Sequence, residues 1–338
     1  MYKKFFGIVL IAHLLVFGYF GLRTTPDDNS DLPPVARSES ISPSDTQETL
    51  PSEEQDDILL PVLPKPAKPA PLAFDASQTI ELPATIRSDD LGTGLLVEVP
   101  SGRVLWSKDS QKPVGIASMT KMMTALLAFE DIRDRDDLSF ETPIKVTKAA
   151  YRIGGSQVWL DPRETFSLEE LLITVMVKSA NDSAYLIGEF LSGGDMGAFI
   201  NRMNERASEL EMNATRFFNA HGLPEKETDN TATCEDLARL ANELLHFDKA
   251  VEWASLEKYA FRADTNKPTL LANHNRLLST TIGVNGMKTG YTKRAGYCIA
   301  ATSERSGRRL IAVTTGFRSG KRRDEFTRNL IDWGYTQP

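Results

Sequence analysis

Gly94-Leu-Leu-Val-Glu-Val-Pro-Ser-Gly-Arg-Val-Leu-Trp106 holds two short apolar runs broken at Pro100-Ser101-Gly102. Such a segment reads as strand, tight turn, strand. A second hairpin is predicted near the other end of the chain, where Gly296–Thr302 and Arg309–Gly316 flank Arg305-Ser306-Gly307. Between the two hairpins the apolar spacing is helical. Ala117–Glu130 is predicted to be a helix with Met119, Met122, Met123, Leu126 and Leu127 on one stripe. Ser167-Leu-Glu-Glu170 carries the capping-box signature, followed by Leu168, Leu171, Leu172, Val175 and Met176 on one face. Further helices fit Met196–Leu210 and Glu235–Leu245, and a last one carries Phe326, Leu330 and Trp333. Strands at both ends with helices between them predict an α+β fold. One antiparallel sheet is built from both termini of the domain and packed against a helical subdomain.

That domain spans residues 74–338, long enough for a substantial core. Ahead of it, residues 24–73 read as a disordered linker. From Thr24 to Leu72 there are ten Asp/Glu against three Lys/Arg, and ten of the eighteen prolines. Such a stretch buries too little apolar surface to offset its ordering entropy. Residues 1–23 read as an uncleaved membrane anchor. The run Phe5–Leu22 has His13 as its only strongly polar member, Lys3 and Lys4 precede it, and no small-x-small cleavage site follows. The positive-inside rule leaves the short basic end in the cytoplasm, so the domain is expected outside the cytoplasmic membrane.

The net charge of −7 belongs to the linker, and the remainder is balanced. With no basic surface left over, a nucleic-acid partner is excluded. Two cysteines, Cys234 and Cys298, and four scattered histidines argue against a disulfide scaffold or metal centre. No metal and no cofactor are expected.

Ser118-Met-Thr-Lys121 opens the most apolar helix. Three residues apart, the hydroxyl and the amine share a helical face. A neutral lysine can remove the serine proton, and burial, a nearby cation and a helix dipole all favour the neutral amine. Alone the pattern is weak, and Ser255-Leu-Glu-Lys258 is a second copy. Only Ser118 is followed by Lys178-Ser179-Ala180-Asn181-Asp182 and by Lys288-Thr289-Gly290, the single Lys-Thr-Gly in the chain. Lys288 on a strand edge can hold a carboxylate, Thr289 can hydrogen-bond it, and Gly290 permits close backbone approach.

Ser-x-x-Lys with Ser-x-Asn and Lys-Thr-Gly is the signature of penicillin-recognising serine enzymes. The chain resembles, most closely, the serine-type D-alanyl-D-alanine carboxypeptidases, the low-molecular-mass penicillin-binding proteins. The likeness extends to Ala117-Ser-Met-Thr-Lys-Met-Met-Thr124, to Asn219-Ala-His-Gly-Leu223 and to Asn273-His-Asn-Arg-Leu-Leu278. It implies a β-lactamase/transpeptidase-like fold, a substrate of peptidoglycan peptides ending in D-Ala-D-Ala, and β-lactam antibiotics as inhibitors. By resemblance, Ser118 is the nucleophile, Lys121 the general base, and Ser179 the proton relay to the leaving amine. Asn181 contacts the substrate amide, and Lys288, Thr289 and Gly290 bind the carboxylate end. The amides of Ser118 and Tyr291 form the oxyanion hole, and His221 is a packing residue. Tyr291 stands where some members carry His.

Three rival functions share parts of this machinery. A DD-endopeptidase cutting cross-links is the nearest. A class A β-lactamase places the carboxylate that activates its deacylating water in a Glu-x-x-Leu-Asn segment, which is missing between Asn181 and Lys288. A non-enzymatic β-lactam sensor would acylate once and stop.

Overall fold

The computed structural model describes residues 69–338. The predicted anchor and the linker up to residue 68 lie outside the described residues. Among those described, no helix is long and apolar enough to cross a membrane.

Five strands form the main sheet: β1 (Gly94–Val99), β2 (Arg103–Lys108), β3 (Val284–Thr292), β4 (Gly296–Arg305) and β5 (Arg308–Phe317). Their spatial order is β2-β1-β5-β4-β3 and every pairing is antiparallel. The seam between the two ends of the domain is β1 against β5, from Gly94 opposite Thr314 to Val99 opposite Arg309. Both predicted hairpins are present, each slightly longer than the apolar pattern marks.

Side chains alternate across the sheet with period two. Leu95, Val97, Ala300, Ile311 and Val313 enter the core shared with the helical region. Leu96, Ile299, Ala301, Leu310 and Ala312 point the other way, against Phe326, Leu330 and Ile331 of the last helix. A sheet covered on both faces requires apolar residues at successive positions, which is why β1 reads Leu-Leu-Val instead of alternating.

Seven longer helices complete the domain: α1 (Lys121–Asp134), α2 (Leu168–Val177), α3 (Asn181–Leu191), α4 (Met196–Glu209), α5 (Cys234–Leu244), α6 (Asp248–Ser255) and α7 (Gly320–Gly334). The capping box of α2 is formed: Glu170 N–H donates to Ser167 Oγ at 3.1 Å and Ser167 N–H to Glu170 Oε2 at 2.9 Å. The first helix differs from the sequence expectation in two ways. Ala117–Thr120 is a 3-10 turn, with α-helix beginning only at Lys121. Also, every residue from Lys121 to Glu130 is buried, so there is no single apolar stripe. The reason is packing: α2, α3, α4 and α5 all contact α1, leaving it no solvent face before its last turn. A helix buried on every side is the expected form of a central helix, and its buried polar members Lys121, Thr124 and Glu130 are each hydrogen-bonded.

Candidate active site

Ser118 sits on the 3-10 turn, where its neighbours Ala117, Met119 and Thr120 are all buried and it alone is partly open. Two glycines let other segments close on this turn. A Cβ at Gly290 would lie 2.7 Å from the Ile116 carbonyl oxygen and 3.3 Å from the Ser118 amide nitrogen, so β3 runs directly beside the nucleophile. A Cβ at Gly222 would lie 1.9 Å from the Ala117 carbonyl oxygen, and Gly222 has φ +84°. Asn219 fixes that turn by accepting from the Gly222 amide at 2.6 Å. Gly222→Ala is therefore expected to cost about 1–3 kcal/mol from the backbone conformation alone. The overlap with Ala117 adds to this, displacing Ser118. Thermal unfolding and the rate of penicillin acylation should both fall; an unchanged melting temperature would contradict the close contact.

Lys121 is completely buried. Its Nζ lies 3.0 Å from Ser118 Oγ, 2.6 Å from Asn181 Oδ1 and 2.5 Å from the His221 carbonyl oxygen. A neutral amine has two N–H donors and one lone pair. Asn181 Oδ1 and the His221 carbonyl take the two donors, which leaves the lone pair for the Ser118 hydroxyl proton. Burial holds the Lys121 pKa well below its ordinary value, and the Lys288 charge lowers it further against a partial pull from Asp182. Burial and the Lys288 charge favour the uncharged amine, and the geometry gives its lone pair a hydroxyl proton to take.

Asn181 also ties the site to the segment Gly154–Leu160. Its Nδ2 donates to the Gly154 carbonyl and its amide to the Ser156 carbonyl, each at 2.7 Å. Ser179, two residues before it, adopts φ +61°, an uncommon conformation for a residue with a Cβ. Its Oγ is buried and has no hydrogen-bond partner among the described residues. A buried hydroxyl without a partner costs free energy unless a ligand completes it.

On the opposite side, Lys288, Thr289, Gly290 and Tyr291 occupy β3, which is an edge of the sheet. Lys288 and Thr289 are buried, and the Lys288 amine bonds only the Thr289 carbonyl, at 3.1 Å. Tyr291 is 53% exposed and its ring stacks on Tyr297 at 4.1 Å. Among the described residues, no hydrogen bond joins Lys288 or Thr289 to Ser118. The two sides meet through the Gly290 backbone and through the field of Lys288 on Lys121.

Sequence reasoning missed Arg323. This residue of α7 is buried, and its Nη1 donates to the Cys298 carbonyl at 3.4 Å. Cys298 faces Gly290 in the β3–β4 ladder, so the guanidinium lies beside the Lys-Thr-Gly strand. Burial lowers the Lys288 pKa to about 7, and the Arg323 charge contributes. The role of His221 was half seen. Its ring is buried, and burial pushes its pKa down to about 3, while its backbone carbonyl accepts from Lys121 Nζ at 2.5 Å. Ser255, in the second Ser-x-x-Lys, merely bonds the Glu252 carbonyl at 2.7 Å while Lys258 stands exposed. Cys234 and Cys298 are both buried free thiols.

A serine beside a buried lysine, set between a Ser-x-Asn segment and a Lys-Thr-Gly strand edge on an α+β frame whose sheet joins both ends of the described domain, is the arrangement of the penicillin-recognising serine enzymes. Residues 78–319 match the family of D-alanyl-D-alanine carboxypeptidases, and the chain belongs to that family. The D-alanyl-D-alanine carboxypeptidase DacF of Bacillus subtilis is 34% identical over 271 residues, covering 79% of this chain and 67% of its own. DacC of Escherichia coli is 32% identical over 273 residues, covering 79% and 65%. The chain thus spans about two thirds of the length of these relatives. Penicillin-binding protein D2 of Listeria monocytogenes, solved in its ampicillin-bound form, superposes with a TM-score of 0.65 at 29% identity, over 73% of this chain and 98% of that one.

Proposed function

We propose that the protein removes the terminal D-alanine from peptidoglycan stem pentapeptides through an acyl-ester on Ser118, and that penicillin traps the same ester. The observation that carries this is the buried Lys121 Nζ, 3.0 Å from Ser118 Oγ and also bonded to Asn181 Oδ1 and the His221 carbonyl. Ser118 Oγ attacks the carbonyl between the two D-alanines as Lys121 takes its proton. The Ser118 and Tyr291 amides stabilise the oxyanion, donors of a kind worth about 3–4 kcal/mol each. The C–N bond breaks, and the proton passes from Lys121 through Ser179 Oγ to the departing amine. Water then hydrolyses the ester.

The leaving D-alanine carries a carboxylate, for which Lys288 and Thr289 form the receptor, with Arg323, itself paired to Asp324 at 2.6 Å, adding to the positive field on Lys288, while Asn181 meets the peptide amide. Supporting this are the buried cations and the unpartnered Ser179 hydroxyl, which a bound substrate completes. Mass mapping of a penicillin adduct to Ser118, with free D-alanine released from a pentapeptide, tests the reading. A chain that takes up penicillin but releases no D-alanine would be a sensor instead.

Lys288→Ala should lower kcat/KM for pentapeptide by about 10- to 100-fold, the loss expected for a hydrogen bond to a charged group. The loss should be much smaller on the C-terminally amidated peptide. Equal losses on both would remove Lys288 from carboxylate binding. The wild-type pH profile carries the same mark. In the empty site Lys288 is cationic below about 7 and loses its proton above it. Hence kcat/KM for the free carboxylate should fall as pH rises through that value, while the amidated peptide lacks this limb.

A further inference from the structure

The segment Gly154–Leu160 is strapped to the Ser-x-Asn region at several points. Besides the two Asn181 bonds, Ser156 Oγ donates to the Lys178 carbonyl at 2.8 Å. The amides of Val158 and Leu160 both donate to Asp182 Oδ2 at 3.2 Å, and Asp182 is buried. From the other direction, buried Arg262 donates to the carbonyls of Val158 at 2.9 Å and Trp159 at 3.0 Å, while Glu164 holds Arg262 at 2.6 Å. Val158 and Leu160 point inward and are buried.

Between them, Trp159 is held at φ +58° with its side chain 75% exposed. Two buried charged groups thus fix a strained backbone whose outcome is one large ring standing in water. Among the described residues this ring takes no part in the stack formed by Phe129, Phe140, Phe247 and Trp253. Nothing in the core requires it. An observed backbone outlier of this kind points to function.

Resting on the reading of Ser118 as a peptidoglycan peptidase, we infer that Trp159 is a stacking platform for a pyranose ring of the glycan strand that carries the stem peptide. Reach supports this. Trp159 lies three residues beyond Ser156, whose carbonyl bonds Asn181, so its Cα is within about 11 Å of that bond. Four residues of stem peptide separate the scissile bond from the hexosamine, about 14 Å when extended. Shape supports it as well. A recessed pocket would select a peptide side chain, whereas an open flat ring on the rim matches the C–H face of a sugar. The carboxylate end falls to Lys288 and Thr289 on β3 in the reading above.

The test compares Trp159→Ala and Trp159→Phe with wild type on a sugar-free pentapeptide and on the same peptide attached to its disaccharide. Trp159→Ala should raise KM for the disaccharide-linked substrate about 5- to 10-fold with kcat unchanged, and alter the free peptide less than twofold. Trp159→Phe should restore most of the loss, and penicillin acylation should stay at the wild-type rate. Equal losses on both substrates, meaning a peptide contact or a damaged site, would overturn the proposal, as would no loss on either. A second readout does not depend on catalysis. Titrating Ser118→Ala protein with the disaccharide alone should shift tryptophan emission to the blue, and the shift should vanish in Ser118→Ala/Trp159→Ala. If the emission shift is present while neither substrate is cleaved, the peptidase reading fails and the sugar platform stands. If the double variant still shifts, the platform is wrong whatever the enzyme does.

Discussion

Ser118→Ala yields a folded protein that releases no D-alanine and forms no covalent adduct with penicillin. Ser118 is only partly buried, so removing one oxygen opens no cavity in the core. Its loss deprives the reaction of the atom that becomes the ester. Loss of a nucleophile typically removes 10⁴-fold or more of the rate, with residual catalysis from the remaining binding groups. The measurements are D-alanine release and intact-mass analysis after penicillin treatment, with a melting curve as control. An adduct on another residue, Ser179 included, would show that the wrong hydroxyl has been assigned.

Lys121→Met is expected to be nearly as damaging, and it carries a second signature that a structural role would not produce. Methionine retains much of the stem but has no basic lone pair, so acylation should fall about 10³-fold or more. In the wild type the buried amine titrates below its unfolded value of 10.5. Between those two values the unfolded chain binds a proton that the native chain does not. Stability therefore rises with pH across the interval and is lost as pH falls through it, by about 1.4 kcal/mol per pH unit. The variant lacks this titration. Relative to wild type it should gain stability as pH is lowered from 10 towards 7, although Asn181 and the His221 carbonyl lose a donor at every pH. Parallel stability curves for the two proteins over that range would mean that Lys121 is protonated in the native state, and the base would have to be another group.

The juxtaposition of Ser118 with Lys121 and the placing of Lys288, Thr289 and Gly290 on one strand were legible because these residues lie at local spacings. Ser118 and Lys121 are neighbours on one turn whatever surrounds them, and Lys288-Thr289-Gly290 is contiguous. The two hairpins were legible through their turn residues, and the seam between β1 and β5 follows once both hairpins must share a sheet. Arg323 was hidden because it comes beside the Lys-Thr-Gly strand only through the packing of α7 on β4, which no local pattern encodes. The His221 carbonyl was hidden for a plainer reason: every residue has one, and only the tertiary turn aims this one at Lys121. The expected stripe on α1 failed because periodicity records which positions are apolar, not how many neighbouring helices surround them. Trp159 looked unremarkable in sequence, and its exposure and φ came only with the fold.

The pairing of Gly94 with Thr314 has a consequence for biogenesis. During synthesis, β1 and β2 emerge early and wait, with one edge open, until nearly the whole chain has followed. Such a long sequence separation makes closure slow and leaves a sticky strand edge exposed meanwhile. The hydroxyl and its base are made long before the cationic strand that faces them. A nascent or prematurely terminated chain therefore carries the serine without the strand that faces it and without the Lys288 field on Lys121, and the full arrangement arrives in one late step as the final hairpin docks.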